Sequence, residues 1–520
     1  MDTCKAESPR DPQARVLAFL ADPATHGEPV ERVDTHGASV FLVSDRAYKL
    51  KRAVRFSYLD FSSLDKRHAV CLRELELNRR TAPGLYLDVL PIVERADASL
   101  AFGTASQSGP EVLDWVVVMR RFQDRDLLAT MAREGRLKPL MVRDLADTIA
   151  HFHQHDAHSV QDDGVTRVRR VIEGNRQSMA ATGTEILDPE ACQALLEESL
   201  AELERVSPLL QARAAKGWVR HGHGDLHLGN ICMWEGRPTP FDCLEFNDEF
   251  AISDVLYDLA FAVMDLWHRG HHDLASLLTN RYLDRVDMEA DAPALFPLFL
   301  SMRAAVRAHV LATQATQTRD EERGLALQQE ARSYLEAARD FLIPSPARLV
   351  TVGGFSGTGK STLAAHLAPE LGTVPGARWL RTDVLRKKLA GAAPETRLPE
   401  TAYSRANSDA VYVRLLTLAE QTLQAGSSVI LDGVFARASE RQALAELADK
   451  VGVPFDGLWL EAPREVLRHR IEGRVNDASD ADVEVLDRQL QMDPGDLTDW
   501  HCVRAEGSPQ DVADSARRAL

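Results

Sequence analysis

The run Arg348-Leu-Val-Thr-Val352-Gly-Gly354-Phe-Ser-Gly-Thr-Gly359-Lys360-Ser361-Thr362 constrains this chain more than any other stretch. A short apolar segment of buried-strand character leads into glycines, and residues 363–371 then read as a helix. A G-x-x-x-x-G-K-S pattern between a strand and a helix is the context that makes a P-loop. Glycines let the backbone curl, so that successive N–H groups and the helix N-terminus converge on phosphate oxygens. The candidate nucleotide contacts are Gly354, Ser356, Gly357, Thr358, Gly359, Lys360, Ser361 and Thr362. Lys360 would reach the β/γ-phosphates and Ser361 would ligate magnesium. Ile343-Pro-Ser-Pro346 stops the preceding helix. An α/β domain with a parallel sheet is therefore expected over 347–520.

A second constellation lies upstream. His221-Gly-His-Gly-Asp225-Leu-His-Leu-Gly-Asn230 precedes two β-type segments around a turn, and Phe241-Asp242-Cys-Leu-Glu245 follows. One carboxylate can orient or deprotonate an acceptor hydroxyl, while an amide and a second carboxylate hold metal ions on phosphates. Magnesium prefers such hard oxygen ligands. This segment resembles the catalytic loop of the aminoglycoside phosphotransferase family, small-molecule kinases built on the protein-kinase fold. The resemblance implies an α+β bilobal domain over 30–343, with a small lobe near 30–118 and a large lobe near 123–343. Residues 1–29 would be an N-terminal helical extension. It implies Asp225 as catalytic and Asn230 and Asp242 as metal ligands, although Cys243-Leu244 replaces the Phe-Gly of protein kinases.

The same resemblance calls for a lysine on the second strand of a hairpin. Strands are expected at 38–43 and 47–52, and Lys49 and Lys51 share one face at period two. Lys49 is the choice for the catalytic, phosphate-gripping position, with Lys51 as the alternative. Its acidic partner would come from the helix over 65–80. Glu74 and Glu76 fall on different sides of a 3.6-residue helix, and Glu74 is the choice. Only His36-Gly37-Ala-Ser39 stands where a glycine-rich loop would cover the phosphates. Further strands are expected at 86–93 and 114–119, the latter leading into a hinge, Met119-Arg-Arg-Phe122, whose backbone would bond adenine. Asp254 or Asp258 would brace the catalytic loop. His151, His153, His155 and His158 lack a completing ligand at zinc spacing and read as helix-end histidines.

Beyond the P-loop, Asp383 ends a second strand and opens a helix, and Val429-Ile-Leu-Asp432 is a buried strand ending in an acid. These features resemble the P-loop kinases that include gluconate kinases, chloramphenicol phosphotransferase, polynucleotide 5′-kinases and zeta toxins. The resemblance implies Asp383 as base or orienter and Arg386 as an acceptor or phosphate contact. It makes Asp432 a water-mediated magnesium ligand and Arg468, Arg470 and Arg474 lid candidates. The whole chain resembles a fusion family pairing an aminoglycoside phosphotransferase with an ATP-binding protein.

Composition narrows the rest. A net charge of −17 over 520 residues argues against a general nucleic-acid or membrane-surface binder. Six scattered cysteines without a Cys-x-x-Cys pair suit free thiols in a reducing compartment, the cytoplasm. No membrane span is expected. Helices are expected over 12–21, 139–155, 190–215 with a break near Pro208, 298–309 and 321–342. The expectation is a two-site kinase using ATP and Mg2+ on a small-molecule hydroxyl acceptor. The rivals are an ATP-driven switch with a ligand-sensing module, and a 5′-hydroxyl polynucleotide kinase in the second half.

Overall fold

A computed structural model describes residues 12–35, 37–55, 59–160, 163–183, 185–473 and 479–520. Two compact units emerge, Met1–Asp162 with Arg213–Ala262, and Asp163–Ala212 with Val263–Leu520.

The first unit is built on an antiparallel sheet of β1 (Glu31–Asp34), β2 (Ala38–Val43), β3 (Arg46–Lys51), β4 (Tyr86–Glu94), β5 (Leu100–Phe102) and β6 (Val112–Arg120). Their order is β1-β2-β3-β6-β4-β5. Alternation sends Phe41, Leu50, Ile92 and Val116 to one face, where they meet Val16, Leu17 and Leu20 of the helix Pro12–Ala21. That helix, expected as an extension, is part of the sheet's core. The other face packs Val89, Trp115 and Val117 on Cys71 and Leu75 of the helix Leu64–Asn78, whose start is capped by Ser63. Lys49 stands opposite Val40 on β2 and Val117 on β6. Downstream, β7 (Val219–His221) pairs with β10 (Ile252–Asp254), and β8 (Ile231–Trp234) with β9 (Arg237–Pro240). The segments 222–230 and 241–251 run between these strands.

The helix expected over 139–155 is α-helical only over Pro139–His151 and closes with a π-turn, Phe152–Asp156. The break expected near Pro208 is absent, and Pro189–Ala215 is one helix. Pro208 and Glu204, the residue whose carbonyl a proline at 208 leaves without its helical partner, are both exposed, where the missing bond costs least.

The second unit joins helices to a five-stranded sheet. β11 (Leu349–Gly354), β12 (Arg378–Arg381), β13 (Val429–Asp432), β14 (Phe455–Glu461) and β15 (Trp500–Arg504) are all parallel in the order β12-β13-β11-β14-β15. One face is covered by Leu363, Leu367, Val512 and Ala516, the other by Val411, Leu415, Leu444 and Leu447, the double cover a parallel sheet requires. β12 lies at the edge, and the helix His272–Arg285 covers it. Asn280 accepts the Trp379 N–H at 2.8 Å and donates to the Ala377 carbonyl at 3.2 Å, while Asp284 binds Arg378 at 2.6 Å. Among the described residues one helix, Ala292–Gln317, is long and apolar enough to cross a membrane by length and composition alone, and 78% of its apolar window is buried in the fold, as in a core helix.

Two candidate phosphoryl-transfer sites

In the first unit the loop after β7 is held from both sides. Asp258, fully buried, accepts the His223 N–H at 2.7 Å and the Gly224 N–H at 2.9 Å. The π-turn aims His153 inward, 3.1 Å from the same carboxylate. Arg80 donates to the carbonyls of His221 (2.8 Å) and Gly222 (3.0 Å). Asp254 has a different task, a buried ion pair with Arg213 at 2.7 Å. Arg80 carried no signal in the sequence, and His153, expected as an ordinary helix-end histidine, is instead buried against Asp258, a partner distant along the chain.

Asn230 turns its side-chain N–H groups to Asp225, reaching Oδ2 at 2.8 Å and the carbonyl at 3.0 Å. Its amide oxygen remains as a hard donor. Backbone bonds from Phe241 to Asn230 and from Leu244 to His223, both 2.9 Å, lay the next segment beside the loop. Asp242 lies between them with φ 61°, a conformation that costs a non-glycine residue roughly 1–3 kcal/mol and that gathers at functional sites. Its N–H donates to the Tyr86 hydroxyl at 3.2 Å, and its carboxylate meets Lys49 Nζ at 2.6 Å.

Lys49 also reaches Glu74 Oε1 at 2.8 Å, and Lys51 joins Glu74 Oε2 to Glu245, both at 2.5 Å. Glu74 is fully buried, whereas Glu76 is exposed and pairs with Arg73. Burial works against the charge on Lys49, but Asp242 and Glu74 outweigh it and hold its pKa well above the ordinary value. Burial likewise opposes the Glu74 carboxylate, and the two lysines hold its pKa below the usual range. Burial pushes Glu245 up, with Lys51 opposing.

In the hinge, the N–H groups of Arg120 and Arg121 are already bonded to Leu85 and Asp45 carbonyls, so adenine cannot take those two amides. Ser39 is buried against Asp34, and His36 lies outside the described residues. The His151 and His155 rings lie 4.6 Å apart at a tilt of 43°, and among the described residues no group of three or more His, Cys, Asp or Glu side chains has the arrangement of a metal site.

In the second unit β11 runs into the P-loop and the helix Lys360–Leu367. Gly357 has φ 87°, and a Cβ there would sit 2.7 Å from the Leu467 carbonyl, so only glycine fits. Lys360 folds over the loop to the Phe355 carbonyl at 3.0 Å. Ser361 Oγ donates to Asp432 Oδ2 at 2.5 Å, a hydroxyl–carboxylate pair of the oxygen chemistry magnesium takes. Arg381 reaches the same Oγ at 3.1 Å. A cleft of about 1180 Å³ is lined by Lys360, Ser361, Asp383, Arg386, Asp432 and Arg470, among others. The half-buried Asp383 carboxyl is held above its ordinary pKa by burial, with Arg381 opposing and Asp432 adding to the rise. Arg386 donates to Ala402 and Ser408 and lies over the Tyr403 ring at 4.8 Å.

The lid expectation is corrected in part. Arg468 points away from the cleft and pairs with Glu472 at 2.9 Å on the exposed side. Arg470, two residues on and so on the other side of the helix Arg464–Glu472, lines the cleft and approaches the Thr358 carbonyl at 3.4 Å. Arg474 lies outside the described residues.

Comparison with known proteins follows the same division. A model of a phosphotransferase enzyme family matches residues 71–293, and a model of an AAA domain matches 349–493. Uncharacterized proteins of Mycobacterium tuberculosis and Mycobacterium bovis are each 32% identical over 495 residues, covering 92% of this chain and 94% of theirs. Among solved structures, amicoumacin kinase hAmiN in complex with AMP-PNP, Ca2+ and Ami is 16% identical over 63% of this chain and 96% of its own, at a TM-score of 0.38. A gluconokinase from Sinorhizobium meliloti is 21% identical over 34% and 95%, at 0.24.

Proposed function

This chain, a phosphotransferase-family domain followed by an AAA domain, belongs to one family with its mycobacterial relatives, and we propose that it is a kinase with two separate triphosphate sites. Each passes the γ-phosphoryl group of ATP to a hydroxyl of a small molecule. The observation that carries this reading is a repeated arrangement on unrelated scaffolds. Each site has one carboxylate for the acceptor, Asp225 or Asp383, and a separate oxygen set suited to magnesium, Asn230 with Asp242 or Ser361 with Asp432.

Asp225, fixed by the Asn230 amide, orients the acceptor hydroxyl and takes its proton. Lys49, aimed by Glu74, holds the α/β-phosphates. In the second site Asp383 takes the acceptor role, and Lys360 and Arg470 neutralise phosphate charge. A magnesium ion held by Asn230 and Asp242 in the first site, or by Ser361 and Asp432 in the second, would supply the positive charge that screens the triphosphate. The protein's share is positioning and preorganised charge, which is what phosphoryl transfer asks of it.

The test is a screen of metabolites for acceptor-stimulated ADP release by the full chain, repeated with Asp225→Ala and Lys360→Ala. Each substitution is expected to remove a separate set of acceptor responses. Loss of every response in either single variant would show one coupled site instead.

A further inference from the structure

Two lysines of β3 converge on the single carboxylate of Glu74. One lysine–glutamate pair is enough to aim an ammonium group at phosphates, so the second lysine requires its own explanation. Lys51 is less exposed than Lys49, 3% against 13%, and on its far side it meets Glu245, itself only 7% exposed. Glu245 lies three residues beyond Asp242 on the same segment. The result is an unbroken line of charges, Asp242–Lys49–Glu74–Lys51–Glu245, that ties β3, the helix Leu64–Asn78 and the segment after β9 together.

The Lys49 ammonium rests on Asp242, the carboxylate that faces the metal in the reading above. If magnesium takes that carboxylate and Lys49 turns to the phosphates, two things follow. Glu74 loses part of its compensation while fully buried, and a buried carboxylate stripped of its partner is strongly unfavourable. The Asp242 segment, strained at φ 61°, loses one of its ties to the sheet.

Resting on the kinase reading of this site, we propose that Lys51 and Glu245 are positioning residues for Mg-ATP. Lys51 keeps Glu74 compensated while Lys49 moves between Asp242 and the phosphates. Glu245, through Lys51, keeps the Asp242 segment seated when that contact opens. Neither residue touches the nucleotide; both act through Glu74 and Asp242.

The experiment uses the full chain carrying Lys360→Ala, so that the first site alone reports. Binding of a fluorescent ATP analogue is titrated with and without Mg2+, and the melting temperature of the ligand-free protein is recorded alongside. Partners that orient metal ligands typically contribute 10–100-fold to affinity, so Lys51→Met is expected to weaken Mg-dependent binding by about tenfold or more. Lys51→Arg should restore it, and Glu245→Gln should weaken it with little change in melting temperature. A lower melting temperature with unchanged Mg-dependent affinity in Lys51→Met would make the pair a structural staple and overturn the proposal. Should Lys51→Met fail to fold, unchanged affinity in Glu245→Gln would overturn it equally. Asp242→Asn separates the two levels. If it leaves Mg-dependent binding intact, the reading of the site itself fails; if it abolishes binding while the Lys51 and Glu245 variants behave as the parent, only this proposal fails.

Discussion

Asp383 sits half-buried at the start of its helix with its carboxyl held above the ordinary range, chiefly by burial. A base must be unprotonated to accept a proton, so a raised pKa moves the acidic limb of the reaction upward in pH. In an Asp225→Ala background, kcat/KM of the second site should fall on the acid side with a midpoint above the ~4 of an ordinary aspartate. Asp383→Asn should abolish the activity, and a limb at or below ~4 would show that Asp383 is not the titrating base. The residue scale also marks what sequence reasoning can decide. The acid–amide–acid set and the P-loop are local patterns, so Asp225, Asn230, Asp242, Lys360 and Ser361 could be named without a fold. Lys49 and Lys51 could not be told apart, because a period-two strand puts both on one face and both reach Glu74. Contacts about 190 residues away in sequence distinguish them, Asp242 touching Lys49 and Glu245 touching Lys51.

Elements show the same limit in another form. The strands β2, β3, β11 and β13 follow from alternation and apolar runs, and the structure places them within a residue or two of the sequence expectation. The choice between Asp254, which ends β10, and Asp258, on the helix that follows, turns on a partner from elsewhere in the chain, and so does the choice of Arg470 over Arg468 on opposite sides of one helix. Pro189–Ala215 runs unbroken through Pro208, which sits on the exposed side of the helix, and no local rule reports that side. Nor does any sequence pattern announce that Asn280 acts as a substitute strand for the outer edge of β12. Asn280→Leu would leave the Trp379 N–H and the Ala377 carbonyl without partners, at about 1–3 kcal/mol. Chemical denaturation of the second unit should report that loss. Because β12 runs straight into Asp383, and its Arg381 binds Ser361, the second site's KM for ATP should rise as well.

At the scale of the whole molecule, loss of stability in acid is expected from His309, on the helix Phe296–Gln317. Burial lowers its pKa to about 4. The unfolded chain, with an ordinary histidine near ~6.5, therefore takes up a proton that the folded chain refuses. Stability should drop as pH falls from ~6.5 towards ~4, and His309→Gln should flatten that part of a melting-temperature curve. A curve unchanged by the substitution would place the acid sensitivity elsewhere. The cover that the helix His272–Arg285 gives to β12 has a consequence for how such a chain can be divided. A cut between Asp340 and Leu349 severs neither helix nor strand, yet it would strand β12 with a bare hydrogen-bonding rim, the kind of surface that recruits other chains. A fragment starting there is expected to self-associate through that rim where the full chain does not.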